Sequence, residues 1–339
     1  MDLLPKKYRA SEIYGDYWFN SDPIAIGALH GYVVLINFWD YTCTSSLRAL
    51  PYIEEWHRRY ADKGLATIGV HTPEFPFARD PLYVKKAIER LRIKYPVVMD
   101  NDYLIWSAFR TAEWPTRYLI DKEGFIRVVH AGEGFYQNFE HSIQSLLTEA
   151  GYHYELPLVM DSLREADRPG AVCYRMTPKI FGGFQRGSIG NVEGSMPEST
   201  THFEDPGYYL EGRIYLHGNW LNNRSFFKLN ESESREGYLV VSYQAKEVNV
   251  VVKPEGEKQF QAFVQQDDQF LTQSMKGDDI EIDAEGRSYF LIREPKLFNI
   301  VKNQEFGEHK LKLSSRSNGL AVYSISFVSS AIPETISKN

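Results

Sequence analysis

An apolar run that leads directly into a cysteine constrains the fold of this chain most strongly. Residues 32–39 read YVVLINFW, the composition expected of a strand buried on both faces of a sheet. Residues from about 45 to 62 then carry apolar side chains at helical spacing, which predicts a helix packed against that sheet. Cys43 lies between the two segments, so we expect it at a strand-to-helix turn.

Strand and helix patterns continue to alternate through the first half of the chain. This alternation, with a hairpin at the turn-rich DKEG of residues 121–124, predicts a mixed sheet with helices on both faces. The further predicted elements are strands at 65–70, 95–99, 116–120 and 125–130 and helices at 81–91 and 139–150. From residue 207 onward, strand-length pieces follow one another at short spacings, which predicts an all-β sandwich of jelly-roll type.

The length of 339 residues favours two domains. The predicted boundaries are an N-terminal extension at 1–26, an α/β domain at 27–151, a connector at 152–206, a β-sandwich at 207–330 and a C-terminal tail at 331–339. Glycine and proline interrupt the connector, and its aromatic residues indicate that it lies against a surface and is not a loose tether.

Composition excludes several classes of function. With 38 Lys and Arg against 45 Asp and Glu, the net charge of -7 argues against a nucleic-acid partner. Cys43 and Cys173 are the only cysteines, too few for a disulfide scaffold, and no histidine stands at metal-binding spacing with them, so we expect no metal. Gly182, Gly183 and Gly187 form neither a P-loop nor a dinucleotide turn, and we expect no organic cofactor.

The same composition bears on the compartment. No apolar run approaches the roughly 20 residues that span a bilayer, and the start of the chain lacks a secretory signal. We therefore expect a soluble chain, cytoplasmic as it stands and periplasmic or extracytoplasmic if an upstream segment has been removed.

The junction after the first buried strand suits a nucleophile. A cysteine there lies among unpaired backbone N–H groups at the positive end of a helix dipole, which favours the thiolate. Ser46 stands three residues later on the same side of the first turn, where a second cysteine could attack a mixed disulfide. A serine hydroxyl is too weak an acid to do so, although it can donate a hydrogen bond to the Cys43 thiolate. Natural loss, monothiol specialisation and deliberate substitution all remain open for Ser46.

Four stretches together carry a family resemblance. They are GYVVLINFWDYTC at 31–43, RALPY at 48–52, GVHTPEF at 69–75 and WPTRYLID at 114–121. This set resembles TlpA-like thioredoxin-fold proteins, and among them the extracytoplasmic thioredoxin domain of the DipZ type. In that group a β-rich domain with a carbohydrate-binding-module-like jelly roll follows, and TPKIFGG at 177–183 with the later strands is similar to it. The resemblance covers roughly residues 16–328 and implies a thioredoxin-like domain at 27–151.

The resemblance also implies roles for individual residues. Cys43 matches the exposed nucleophile, and Ser46 stands where the family has its buried resolving cysteine. Pro115 matches the cis-proline that faces the site, and Glu74 an acidic residue that assists proton transfer. The residues that border these positions, assigned to substrate binding together with Pro115, are Trp39, Thr42 and Trp114.

The predicted function is therefore thiol-disulfide oxidoreductase chemistry of monothiol type, acting on a disulfide-containing protein or a small thiol such as glutathione. Two alternatives stay open: a redox-weak binding module with a glycan- or protein-binding β domain, and a thiol peroxidase. Cys173 is a further candidate for a distant resolving thiol, with local packing as the simpler interpretation, and His71 is expected to be a polar loop or capping residue.

Overall fold

A computed structural model describes residues 3–152, 155–172, 174–230, 237–256 and 258–329. By their internal contacts these residues form two compact units, one within residues 3–172 and the other within 174–329. Among the described residues, none of the helices combines the length and the apolar character that a bilayer crossing needs.

The first unit is the predicted α/β structure. Its strands and helices, in chain order, are β1 (Trp18–Phe19), β2 (Val33–Trp39), α1 (Thr44–Tyr60), β3 (Leu65–His71), α2 (Pro81–Leu91), β4 (Val97–Met99), α3 (Leu104–Ala108), β5 (Thr116–Ile120), β6 (Ile126–Ala131) and α4 (Tyr136–Ala150). The strands form a mixed sheet in the order β1-β4-β3-β2-β5-β6. Strands β2, β3 and β4 run parallel, whereas β1, β5 and β6 pair antiparallel with their neighbours.

Strand β2 lies inside this sheet, between β3 and β5. All its residues are buried, because β3 and β5 flank it and helices cover the sheet faces. The stretch expected to be an N-terminal extension is partly built into the same unit: Trp18 and Phe19 pair with β4, and Ile13 and Ile26 lie in the core. Part of residues 1–26 is therefore structural support for the α/β unit.

The second unit is all-β, as predicted. Its strands are β7 (Ile180–Phe181), β8 (Thr200–Phe203), β9 (Tyr215–Asn222), β10 (Phe227–Leu229), β11 (Gly237–Pro254), β12 (Phe260–Gln266), β13 (Gln269–Phe270), β14 (Glu281–Ile282), β15 (Ser288–Ile292), β16 (Lys296–Ser315) and β17 (Leu320–Val328). The long strands β11 and β16 form its backbone. One edge of β11 pairs first with β9 and then with β17, so β11, β17, β10 and β9 close on themselves.

Alternation along β11 shows how the sequence makes this layer. Val241, Tyr243 and Ala245 belong to the core, while Ser242 and Gln244 between them are half-buried. Strands β7 and β8 lie inside the stretch expected to be a connector, so part of that stretch belongs to the β unit. The jelly-roll topology stays a prediction.

Candidate thiol site

Cys43 lies at the predicted strand-to-helix turn. It is the N-terminal capping residue of α1, with an extended backbone (φ -98°, ψ 115°). Its main-chain N–H donates to the Asp40 carbonyl at 3.1 Å, and its own carbonyl accepts from Leu47 N at 3.0 Å. The side chain is half-buried. The sulfur is therefore held at the positive end of a 17-residue helix, an environment that favours the thiolate.

Ser46 lies below Cys43 in the first turn of α1. Only 1% of Ser46 is exposed, and its Oγ accepts a hydrogen bond from the Asp40 main-chain N–H at 3.3 Å. A buried side chain at this position matches the placement that the resemblance implies for a resolving thiol. A hydroxyl there has no means of forming a disulfide, so no intramolecular release step is available at this position.

The loop before β5 faces the cysteine. The Trp114–Pro115 peptide bond is cis, and the Trp114 carbonyl lies 3.9 Å from Cys43 Sγ. The Trp114 ring is half-buried and packs against Trp106 with 4.5 Å between ring centroids. Trp106 belongs to α3 and was not among the predicted site residues. The only sequence signal near it was the short apolar segment that forms α3. The two indoles pack together, and the Trp114 main chain supplies the carbonyl near the sulfur.

Trp39 and Thr42, both assigned to substrate binding, lie beneath the surface. Neither side chain has any exposed area. Trp39 meets His71 edge-on at 5.3 Å between centroids, and the Thr42 hydroxyl donates to Asp40 Oδ1 at 2.6 Å. These two residues support the site from below, and a direct contact with substrate would require them to be uncovered.

Asp40 is the main residue that sequence reasoning missed. It is fully buried at the end of β2, and its Oδ1 accepts from the Thr42 main-chain N–H at 2.5 Å as well as from the Thr42 hydroxyl. Its Oδ2 accepts from the Glu74 main-chain N–H at 2.5 Å. A carboxylate directly after an apolar strand is the signal that could have found it, because a buried charge is costly unless several donors surround it.

Glu74 is thereby placed in the loop after β3, half-buried and tied to the site through its main chain. Its proposed part in proton transfer stays a prediction. His71 differs from expectation: it is the last residue of β3, fully buried, with Tyr41 stacked on its ring at 5.5 Å. Burial lowers the pKa of His71 to about 3, so the ring is neutral near pH 7.

Arg117 is a second buried group that the sequence did not reveal. It follows the cis-proline on β5, and its Nη2 donates to the carbonyls of Gly134 at 2.8 Å and Gly132 at 3.3 Å. The guanidinium lies 5.0 Å from the ring centroids of both Tyr136 and Phe139. Burial lowers the pKa of Arg117 to about 10, which leaves it charged at neutral pH. Arg117 therefore braces the loop between β6 and α4.

Six aromatic residues of the β unit could line a glycan-stacking platform by sequence, and half of them are buried: the six are Trp220, Tyr208, Tyr209, Tyr243, Tyr289 and Phe298. Trp220, Tyr243 and Phe298 are buried in the core, whereas Tyr208 is 53% exposed. Tyr238, in the same unit, carries Lys312 over its ring at 3.8 Å and stacks with His217 at 4.6 Å. Glycan binding at the β unit stays a prediction.

Two further expectations concern metals and the second cysteine. In the part of the chain that the structure describes, no group of His, Cys, Asp and Glu is arranged to hold a metal ion. Cys173 lies outside the described residues, so its role as a distant resolving thiol stays a prediction.

Two family models match this chain. Residues 20–129 match the AhpC/TSA family, and residues 177–327 match the thioredoxin-like C-terminal domain. The second match begins inside the stretch expected to be a connector, which agrees with the place of β7 and β8 in the β sheet.

Curated relatives cover both parts. Protein DipZ of Mycobacterium tuberculosis is 34% identical over 238 residues, which are 69% of this chain and 33% of DipZ. The thiol-disulfide oxidoreductase YkuV of Bacillus subtilis is 27% identical over 132 residues, 39% of this chain and 88% of YkuV. This chain therefore spans only about a third of the length of DipZ.

Among solved structures, a thiol-disulfide isomerase from Corynebacterium glutamicum is 24% identical with a TM-score of 0.38, over 41% of this chain and 97% of that one. The family matches and the sheet order of the first unit confirm the predicted fold class: a thioredoxin-like α/β domain of AhpC/TSA type, followed by an all-β domain of the thioredoxin-like C-terminal type.

Proposed function

We propose that this protein is a monothiol thiol-disulfide oxidoreductase whose nucleophile is Cys43. The observation that carries the proposal is the position of the Cys43 sulfur, half-exposed at the N-terminus of α1 and 3.9 Å from the carbonyl before the cis-proline. Two relatives of this chain are named thiol-disulfide oxidoreductases, which supports the same chemistry.

The reaction has two exchange steps. In the first, the Cys43 thiolate attacks one sulfur of a substrate disulfide, so that a new S–S bond forms, the old one breaks and the other sulfur leaves as a thiolate. In the second, the thiolate of an external thiol attacks the substrate sulfur of the mixed disulfide, so that a new S–S bond joins these two sulfurs and Cys43 leaves as the thiolate. Ser46 stands where a second cysteine would instead attack the Cys43 sulfur, form a disulfide with it and release the substrate as a thiolate.

The substrate class follows from the surface around the sulfur. The Trp114 carbonyl lies where an extended substrate segment could pair with it, and the Trp106–Trp114 surface would favour an apolar residue beside the substrate cysteine. We therefore propose a protein disulfide as the main substrate. A glutathione mixed disulfide is the smaller alternative, because the main chain of its cysteine can donate a hydrogen bond to the Trp114 carbonyl without contacting the two indoles.

Trapping tests the proposal directly. Purified protein is incubated with a disulfide-bonded model protein and with oxidised glutathione, quenched with acid and analysed by intact mass. We expect a stoichiometric mixed disulfide on Cys43 that dithiothreitol releases. The matched control is Ser46→Ala, which should still form the adduct, whereas Cys43→Ala should not. An adduct that persists in Cys43→Ala would refute the assignment of the nucleophile.

A thiol peroxidase is the second candidate, because residues 20–129 match the AhpC/TSA family. In that case peroxide would oxidise the Cys43 thiolate to a sulfenic acid, with one peroxide oxygen transferred to sulfur and the other leaving as water or alcohol. A sulfenic-acid probe, applied after stoichiometric peroxide, separates the two candidates. Rapid labelling of Cys43 together with slow disulfide exchange would favour the peroxidase.

The remaining alternative is a binding module that uses the thioredoxin-like surface and the β unit without catalysis. An alkylation series across pH distinguishes it. A Cys43 that alkylates at neutral pH no faster than a free thiol with a pKa near 8.5 would favour the binding module.

A further inference from the structure

One buried residue connects most parts of the thiol site. Asp40 bonds through its main chain to Cys43 and Ser46, and through its carboxylate to Thr42 and Glu74. These contacts span three segments: the turn before α1, the first turn of α1 and the loop after β3.

The chemistry of the contacts indicates the state of the carboxylate. Both Asp40 carboxylate oxygens accept hydrogen bonds, and their donors include the main-chain N–H groups of Thr42 and Glu74 and the Thr42 hydroxyl. Accepting on every oxygen is the role of the ionised form. A buried negative charge thus belongs to the residue whose carbonyl accepts from the Cys43 main-chain N–H, and within this turn it disfavours a second negative charge.

We propose that Asp40 is a positioning residue of the thiol site, which holds the Cys43 turn and the Glu74 loop in one geometry and restrains ionisation of the thiol. This inference rests on the proposed function only in its second half. The helix dipole of α1 favours the thiolate, and Asp40 opposes it, so the balance between the two sets how much thiolate is present at a given pH.

Other titratable groups surround the same turn and must stay constant in any test. Glu74 lies in the loop that Asp40 holds, and His71 stacks on Tyr41 next to Asp40. The segment that begins α2 and the helix itself add charges that act on Tyr41, namely Asp80, Tyr83 and Arg90. Asp40→Asn changes none of these and keeps the size of the side chain. Thr42→Val is the matched control, since it removes one donor to Asp40 and leaves the charge.

Two measurements test the proposal on the full chain. Amide hydrogen exchange in the parent should show Thr42 and Glu74 protected by about tenfold or more relative to unstructured peptide rates, although neither lies in a helix or strand. In Asp40→Asn the Glu74 amide should lose that protection, because an amide group replaces the oxygen that accepts from it. We call the joining of the Cys43 turn to the Glu74 loop by Asp40 the clamp. Unprotected amides at both positions in the parent would refute the clamp, even if the variant does not fold.

Alkylation of Cys43 with iodoacetamide across pH gives the second readout. The midpoint of the rate profile should fall by about one pH unit in Asp40→Asn, since a like charge beside a thiolate has been removed. In Thr42→Val, which keeps the charge, the midpoint should stay within a few tenths of the parent value. An unchanged or higher midpoint in Asp40→Asn would overturn the electrostatic part. A parent Cys43 that resists alkylation would instead count against the proposed function, and the exchange data would still decide on the clamp.

Discussion

Protonation of His71 should destabilise the α/β unit as pH falls. The ring is fully buried between Trp39 and Tyr41, and within the described residues neither ring nitrogen has a hydrogen-bond partner. Its folded pKa of about 3 lies below the ordinary value of 6.5. Between these two values the unfolded chain binds a proton that the folded chain does not, so the free energy of unfolding decreases with decreasing pH.

The magnitude follows from these two pKa values. Going from pH 7 to pH 5, linkage predicts a loss of about 2 kcal/mol from His71 alone. His130 has the same sign, because burial, and then the charge of Arg117, lowers its pKa to about 4. The perturbation that isolates His71 is His71→Phe, which keeps an aromatic ring and removes the proton site. No hydrogen bond of the ring is lost in His71→Phe. Near pH 7 we therefore expect this variant to lose at most about 1 kcal/mol of unfolding free energy relative to the parent.

The assay is urea unfolding followed by tryptophan fluorescence at pH 7 and pH 5. Trp220 is the one tryptophan outside the α/β unit, so the signal reports mainly on that unit. The loss of unfolding free energy between the two pH values should be about 2 kcal/mol larger in the parent than in His71→Phe, with the contribution of His130 cancelling. His141→Phe, on the exposed side of α4, is the matched control and should behave as the parent. Equal losses in the parent and His71→Phe would refute the reasoning.

Further predictions concern the thiol site and its support. Ser46→Cys should release trapped substrate without external thiol, and persistence of the Cys43 adduct by intact mass would show that residue 46 is not placed to resolve it. Glu74→Gln should slow disulfide exchange by roughly 10²-fold at pH 7 if the carboxyl moves protons, while hydrogen exchange stays unchanged, because Asp40 holds residue 74 by its main chain; an unaltered rate would remove the carboxyl from the mechanism. Arg117→Met should lower the free energy of unfolding by about 1–3 kcal/mol in urea, because two loop carbonyls lose their donor; a neutral result would mean that water replaces the guanidinium.

The success of the sequence analysis for the fold has a local cause. The apolar run before Cys43 became β2, and the following amphipathic stretch became α1, because periodicity and burial in a parallel sheet are coded residue by residue. The same reasoning found the all-β character of the second unit. The sequence analysis was weaker at the domain boundaries. Trp18 and Phe19 join the sheet as an edge strand, and two residues are too few to show a strand periodicity.

The candidate site divides in the same way. Cys43 and Pro115 were identified from motifs of adjacent residues, and the roles predicted for them are those that the family resemblance implies. Trp39 and Thr42 were identified too, but their burial could not be known, because it depends on which elements pack over them.

By itself the sequence determined that this chain carries a cysteine at the start of a helix and a serine one turn later, since both facts are local. Only the tertiary structure decided that Asp40 joins the Cys43 turn to the Glu74 loop, and that His71 lies buried with Tyr41 stacked on its ring. The physical reason is that the hydrophobic periodicity of a segment does not reveal the role of a carboxylate or an imidazole within it. Its role depends on the donors, rings and solvent that distant segments bring to it.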